Sequence, residues 1–544
     1  MIIACLLLVL ASWVCFEWGN LFTHALNLVT AENATTENQE KTMLFGLAFL
    51  AWLTALLHFF LPIEMGIQSS ILLVGIGNTL LFPENRKKYL KWLSQGTTLI
   101  LLVIATLAIS GRPGFGDIAD YHLQAIKWAE HYPNILGLGN FNRPLANNNW
   151  WFNLQAVFGF GIGNLKSIYC LNPLLAVISL SWCLQNLKQS KGIEKGLNWG
   201  LLLFTVLSFK TAFAGSVSPD FPIAILVIFT AIESIQTMQQ SNTISAFLKL
   251  ALLVCFAISI KLNALPLLAL LVVVFILNFN FSTAWRLLIF GSLYLLPWLI
   301  GNMIVSGWLA YPIHQIDLFS FDWKVPAAVL EFERFSIMQW GKIPGAPIME
   351  TAKLSFTEWL PFWFNQHDWA NKIVMLTVLA AILLILVKRK TYQNKQLLLL
   401  LGFGVFGLLF CISNGPHIRY AFGYFWLLIG LGLGVYTDLP YKKSIQFLVL
   451  GASLALAGMK SYSHHYAQNA WLLPDPYPLI ELNASQMGIE KVIINKQNSS
   501  CWDQFPCTYY LVPGCELRKG TFAEGFKTNP SNFKTLFEAE FQMP

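Results

Sequence analysis

The most constraining feature of this chain is a succession of apolar runs of roughly 17–22 residues, separated by short polar breaks. Runs of that length match a bilayer core about 30 Å thick. Lipid cannot satisfy backbone polar groups, so each span must pair its own N–H and C=O groups, as a helix does. Composition agrees. The chain is 56% hydrophobic and only 12% charged, whereas soluble domains average about 25% charged residues. An all-α polytopic membrane protein with about fourteen transmembrane helices is therefore expected. The spans are expected near 1–17, 43–62, 64–82, 96–110, 165–185, 196–212, 220–238, 245–260, 263–279, 285–305, 372–388, 396–412, 418–436 and 444–459. The stretch MIIACLLLVLASWVCFEWG lacks a basic n-region and an A-x-A site, so it reads as a retained first span.

Basic residues give the orientation. ENRKKYLKW (84–92), Lys188, Lys191, Lys195, Arg286, KRKTYQNK (388–395), Lys442 and Lys443 all fall on one side when fourteen spans alternate. By the positive-inside rule that side is the cytoplasm. The net charge of +7 thus reflects topology, and no nucleic-acid partner is expected. The opposite face receives segments 111–164 and 306–371 and the tail 460–544. Residues 1–459 are expected to form the transmembrane unit. The tail is expected to form a small extracytoplasmic α/β domain, because KVIINK alternates like a strand. The tail also holds Cys501, Cys507 and Cys515 in a compartment that favours disulfides. CWDQFPC can close a loop through Cys501 and Cys507, although spacing alone does not fix connectivity. Of the N-x-[ST] sites, Asn33 falls on the cytoplasmic side, and Asn483 and Asn498 read as chance matches.

Polar chemistry concentrates at the outer ends of the spans. After the breaker GRPGFG, the stretch DIADYHLQAIKW starts a helix at Asp117 or Asp120. Asp117, Tyr121, Gln124 and Trp128 recur at helical spacing and share a face. Such a helix can lie on the membrane surface with Tyr121 and Trp128 at headgroup level. Downstream, Asn140, Arg143 and Asn148 lie among aromatics, residue types that suit hydroxyl-rich or phosphate ligands. Taken alone, Asp117 reads equally well as a helix N-cap, His122 as a packed side chain, and WWF (150–152) as an interfacial anchor. Company favours function. Asp220 ends SVSPD at the mouth of one span, Lys210 and Lys261 end two others, and NGPHIRY places His417 and Arg419 at a fourth. Ionisable groups near a bilayer are costly and point to a function by default. No metal-ligand spacing such as H-E-x-x-H and no phosphate-binding G-x-x-x-x-G-K-[ST] loop occurs.

A large outer loop with an acid just after a span resembles the GT-C superfamily of integral-membrane glycosyltransferases, which use polyprenyl-phosphate-linked sugars. D-x-x-x-Y-H-x-Q-x-I-x-W from Asp117 to Trp128, then G-L-G-N at 137–140, is similar to an uncharacterised bacterial group within it. So are Pro219–Asp220, K-L-N at 261–263, Y-P at 311–312, D-W-K-V-P at 322–326 and C-W-D…P-C-T-x-Y at 501–509. The resemblance implies a lipid-linked sugar donor, a glycan, lipid or protein acceptor, and an active site on the periplasmic side of a bacterial inner membrane. It implies that Asp117 is the general base, with Asp120 as the alternative. Lys210, Lys261, His417 and Arg419 are expected to bind the donor phosphate. Tyr121, His122, Gln124, Asn140, Arg143 and Asn148 are expected to line the substrate site. Some members of the superfamily use a divalent cation, Mg or Mn, which Asp117 and Asp220 would hold here. Two alternatives remain open. A polysaccharide polymerase or ligase shares this layout, and a transporter or flippase is the different-class reading.

Overall fold

A computed structural model of the chain describes all residues except 33–36, 111–115, 160–167, 212, 240–242, 278–279, 389–392, 437–440, 466–483, 495–500 and 542–544. Asn33, Asn483 and Asn498 lie outside the described residues. The protein is mostly helical, with a small C-terminal region of strands. Among the described residues, seven helices are long and apolar enough to cross a membrane, or eight if a bent pair is one span. The remaining apolar runs are also helical, but their apolar stretches are shorter than those seven or, at Gly192–Lys210, less apolar. The sequence reading of fourteen spans thus meets seven helices that satisfy both length and hydropathy.

The first helix departs most from expectation. It runs Ile2–Thr30, well past residue 17, and several of its polar residues bond within the protein. Glu17, fully buried, accepts a hydrogen bond from Asn78. Asn20 donates to its own helix at Phe16 O, 2.9 Å away. Helices Gly192–Lys210 and Phe422–Tyr436 pack backbone to backbone, and a Cβ at Gly196 would collide with the Gly430 carbonyl. Small residues at such crossings allow that close approach.

The connections between helices sort into two groups by contact. In one group, Glu32 accepts from the backbone N–H groups of Ile244 and Ser245, Glu37 pairs with Lys249, and Lys41 pairs with Glu233. Glu40 accepts from Trp92 and Gln185, Gln236 donates to Glu194, and Lys188 lies over the Tyr441 ring. In the other group, Ile63 N–H bonds Ala129 O, and Asn172 donates to Phe213 O and Ser218 O. Asn263 donates to Tyr420 O, and Trp363 to Pro416 O. Each contact named joins two segments that the basic-residue reading assigns to a common side.

The tail has two small sheets, Ala484–Met487, Glu490–Ile494 and Cys507–Thr508 in the first, Cys515–Leu517 and Phe526–Thr528 in the second. Its apolar residues share their cores with the loops expected on the outer face. Val492, Phe522 and Phe526 cluster with Trp128, Ile135, Phe141 and Val305. Val512 and Phe537 cluster with Trp308, Val325 and Phe332. Cys501 and Cys507 form a disulfide, and Cys515 is free.

Candidate active site

Four connections at the end of the bundle that the basic residues assign to the outside bring their charges together. Asp117 precedes the π-helical turn Ile118–His122, where Leu123 N–H bonds back to Ile118 O. The sequence spacing predicted an ordinary helical face there. π turns shift side chains off that periodicity and are frequent at functional sites. Asp117 stands at the N-terminal boundary of this turn, but its side chain makes no capping hydrogen bond. Its carboxylate instead accepts from Arg419, which lies in the 3-10 turn Ile418–Ala421. Arg419 Nε also lies 3.3 Å from Asp220 Oδ2, and Asp220 opens the helix Asp220–Gln239. Lys261, at the end of Ile244–Ile260, pairs with the other Asp220 oxygen.

The result is a chain of ion pairs, Asp117–Arg419–Asp220–Lys261, with no net charge. The Asp117 and Lys261 side chains are each 29% exposed, whereas Asp220 is 4% exposed. The two ends therefore reach solvent and the middle is closed. Burial alone would raise the Asp117 carboxyl, but the Arg419 guanidinium holds it below its ordinary value, so it is ionised at neutral pH. Burial pushes His122 down to about 4, so this imidazole is neutral. It packs between Tyr121 and Phe152, ring centroids 4.5 and 5.0 Å away. His417 is likewise lowered to about 4 by burial, and its Nδ1 accepts from Arg419 N–H at 3.3 Å.

The structure disperses other residues chosen from the sequence. Lys210 is exposed at its helix end, and the ion-pair chain forms without it. Gln124 is buried and serves the tail: it donates to Gln504 O and Trp502 O and accepts from Cys507 N–H. Trp128 is 2% exposed among Phe141, Phe505, Phe522 and Phe526, so it is a core residue and not a headgroup anchor. Asn140 bonds Trp323 O and Thr528 Oγ1, and Asn148 bonds Trp298 O. Arg143 pairs with Glu333 at 3.2 Å and stacks on Phe332 and Tyr510. Tyr121 and Asp120 stay near the ion-pair chain. The Tyr121 ring lies 6.4 Å from Tyr510, whose phenol is raised by burial and by the charges of Asp120 and Asp117.

Sequence reasoning missed Tyr420 and the tail clamp. The Tyr420 ring lies 3.9 Å from Lys261 Nζ, and only its place beside Arg419 hinted at it. In the clamp, Trp502 N–H bonds Ala119 O inside the π turn, and Lys127 pairs with Asp503 at 3.1 Å. Nothing in sequence links positions so far apart.

The donor set does not fit a divalent cation. Magnesium prefers near-octahedral oxygen ligation, yet both carboxylates are engaged by cations, and Arg419 stands between them. Among the described residues no three His, Cys, Asp or Glu side chains converge.

Fold and site together define a helical protein, with several helices able to cross a membrane, that carries a neutral ion-pair chain at one end of its bundle. Residues 1–426 match the family described as a domain of unknown function, DUF8201, and the chain belongs to that family. The matched stretch includes Asp117, Asp220, Lys261 and Arg419 and stops short of the tail. No curated protein matches the chain.

Proposed function

We propose that this protein is a GT-C-type glycosyltransferase of a bacterial inner membrane. Its about fourteen helical crossings would put the Asp117 end outside, along with the C-terminus. The sorting of loop contacts into two groups supports the alternation, since losing one crossing would mix them. The observation that carries the activity is the ion-pair chain: a partly exposed, ionised acid tied to an arginine and, through Asp220, to a partly exposed lysine.

In this reading the phosphate of a polyprenyl-linked sugar competes with Asp117 for Arg419 and with Asp220 for Lys261. The guanidinium and ammonium then stabilise the phosphate charge as the glycosidic C–O bond breaks. Release from Arg419 raises the proton affinity of Asp117, which takes the proton of the attacking acceptor hydroxyl. A new glycosidic bond forms with inversion, and the lipid phosphate leaves. Tyr121 and Tyr420 flank the reacting groups. The polymerase or ligase reading needs the same chemistry on a longer donor. One observation favours a transporter: Glu17, buried inside the Ile2–Thr30 helix. Intramembrane carboxylates often mark transport paths, but this one is isolated from the ion-pair chain.

The test compares surface glycans by mass spectrometry in deletion cells carrying wild type or Asp117→Asn at matched membrane levels. Loss of one sugar with accumulation of a truncated glycan is expected, with turnover reduced by about 10²–10⁴-fold. Unchanged glycans in both the variant and the deletion strain would remove the glycosyltransferase reading. A change in the deletion alone would move the base to Asp120 or Asp220.

A further inference from the structure

We propose that the helix Pro83–Leu93 is a docking site for anionic phospholipid headgroups. The inference rests on the membrane reading above and is independent of the transfer reaction. The preceding helix, Met65–Leu81, exposes Leu73, Val74, Ile76, Leu80 and Leu81, a lipid-facing surface. Pro83–Leu93 turns from it by 105°, so it lies across the end of that helix, along the membrane surface. A proline at its first position fits this abrupt start.

Its two faces differ. One is fixed to the bundle: Tyr89 donates to Val9 O at 2.9 Å, and Trp92 donates to Glu40 at 2.8 Å. On the other, Arg86, Lys87, Lys88 and Lys91 are all exposed. The helix has one acid, Glu84, and Lys87 already pairs with it at 2.8 Å. Leu90 is 52% exposed and sits one turn from Arg86, beside the cations. An apolar residue between cations on an interfacial helix suits acyl chains below and phosphates above. Charge complementarity and continuity with a lipid-facing helix both select an anionic bilayer lipid as the occupant.

The test is native mass spectrometry of the full-length protein in an equimolar mixture of phosphatidylglycerol and phosphatidylcholine. Wild type is expected to retain phosphatidylglycerol preferentially. The variant Arg86→Gln/Lys87→Gln/Lys88→Gln/Lys91→Gln is expected to lose that preference by roughly tenfold. Lys442→Gln/Lys443→Gln, in a different basic loop, is expected to keep it. If the quadruple variant does not fold, Arg86→Gln/Lys87→Gln and Lys88→Gln/Lys91→Gln divide the loss between them. Equal retention of both lipids by wild type overturns the proposal. So does a monodisperse quadruple variant with the wild-type preference, or an equal loss in the Lys442/Lys443 control. A protein absent from the membrane fraction would instead defeat the membrane reading.

Discussion

The two ends of the bundle each carry a network of two acids and two bases, built to different plans. At the end the proposed topology makes the inner one, Glu37, Lys41, Glu233 and Lys249 pair with side-chain exposures of 4–12%. They tie the Gln39–Leu57 helix and its approach to two later helices. At the opposite end, outer in the same proposal, Asp117 and Lys261 are 29% exposed. Composition alone would treat the networks as equivalent. Access separates them: a closed network holds helices in register, whereas an open one can exchange an internal partner for a ligand.

The largest effect expected from this contrast is at the inner end. Lys41→Met leaves Glu233 buried without its cation, and Glu37 keeps only Lys249. Breaking a buried pair from one side costs about 3–5 kcal/mol. Loss of monodisperse protein, or a large fall in its thermal midpoint in detergent, is the expected outcome. Asp117→Asn should cost about 1 kcal/mol or less, because that pair is partly solvated. Equal destabilisation by the two substitutions would erase the distinction between the networks.

The next effect concerns how the tail holds the outer acid. Cys501→Ser opens the loop whose Trp502 and Gln504 bond the π turn and Gln124. Closing a short loop stabilises by about 2 kcal/mol in the chain-entropy model. Hydrogen exchange is expected to rise in Ile118–His131 as well as in the tail, with the inner network unaffected. A rise confined to the tail would show that the tail covers Asp117 without positioning it.

Sequence pattern revealed these elements unevenly. Long apolar runs announced the helices, but the end of Ile2–Thr30 was hidden because Glu17 and Asn20 break the hydropathy while remaining bonded inside. Asp117, Asp220, Lys261 and Arg419 were legible because each charge sits at the edge of an apolar run, where its cost requires a reason. Gln124, Asn140 and Asn148 looked equally suited to a sugar, yet their amides bond distant backbone. That use depends on where residues 298, 323 and 504 arrive in space, which local pattern does not encode. The inner network escaped notice for a related reason: Lys41, Glu233 and Lys249 look like ordinary charges near helix ends until three helices bring them together.

The smallest expected effect is in pH. Buried His122, His417 and His58 have side chains lowered to about 4. A histidine held neutral binds fewer protons folded than unfolded, so each costs stability as pH falls from about 6.5 towards 4. Glu130 acts in the opposite sense. Burial raises it to about 7, against the nearby charge of Lys127. It keeps its proton in the fold while the unfolded chain loses one, so it costs stability as pH rises from about 4.5 to 7. Between about 4.5 and 6.5 it offsets one histidine. Glu37, in the inner network, is held below its ordinary value by Lys41 and Lys249 despite burial, and adds no slope there. Glu130→Gln should therefore steepen the loss of stability on acidification by about 1 kcal/mol per pH unit across that window. Thermal midpoints of purified protein from pH 4.5 to 7 measure it. Parallel curves for wild type and variant would mean that Glu130 is ionised in the fold.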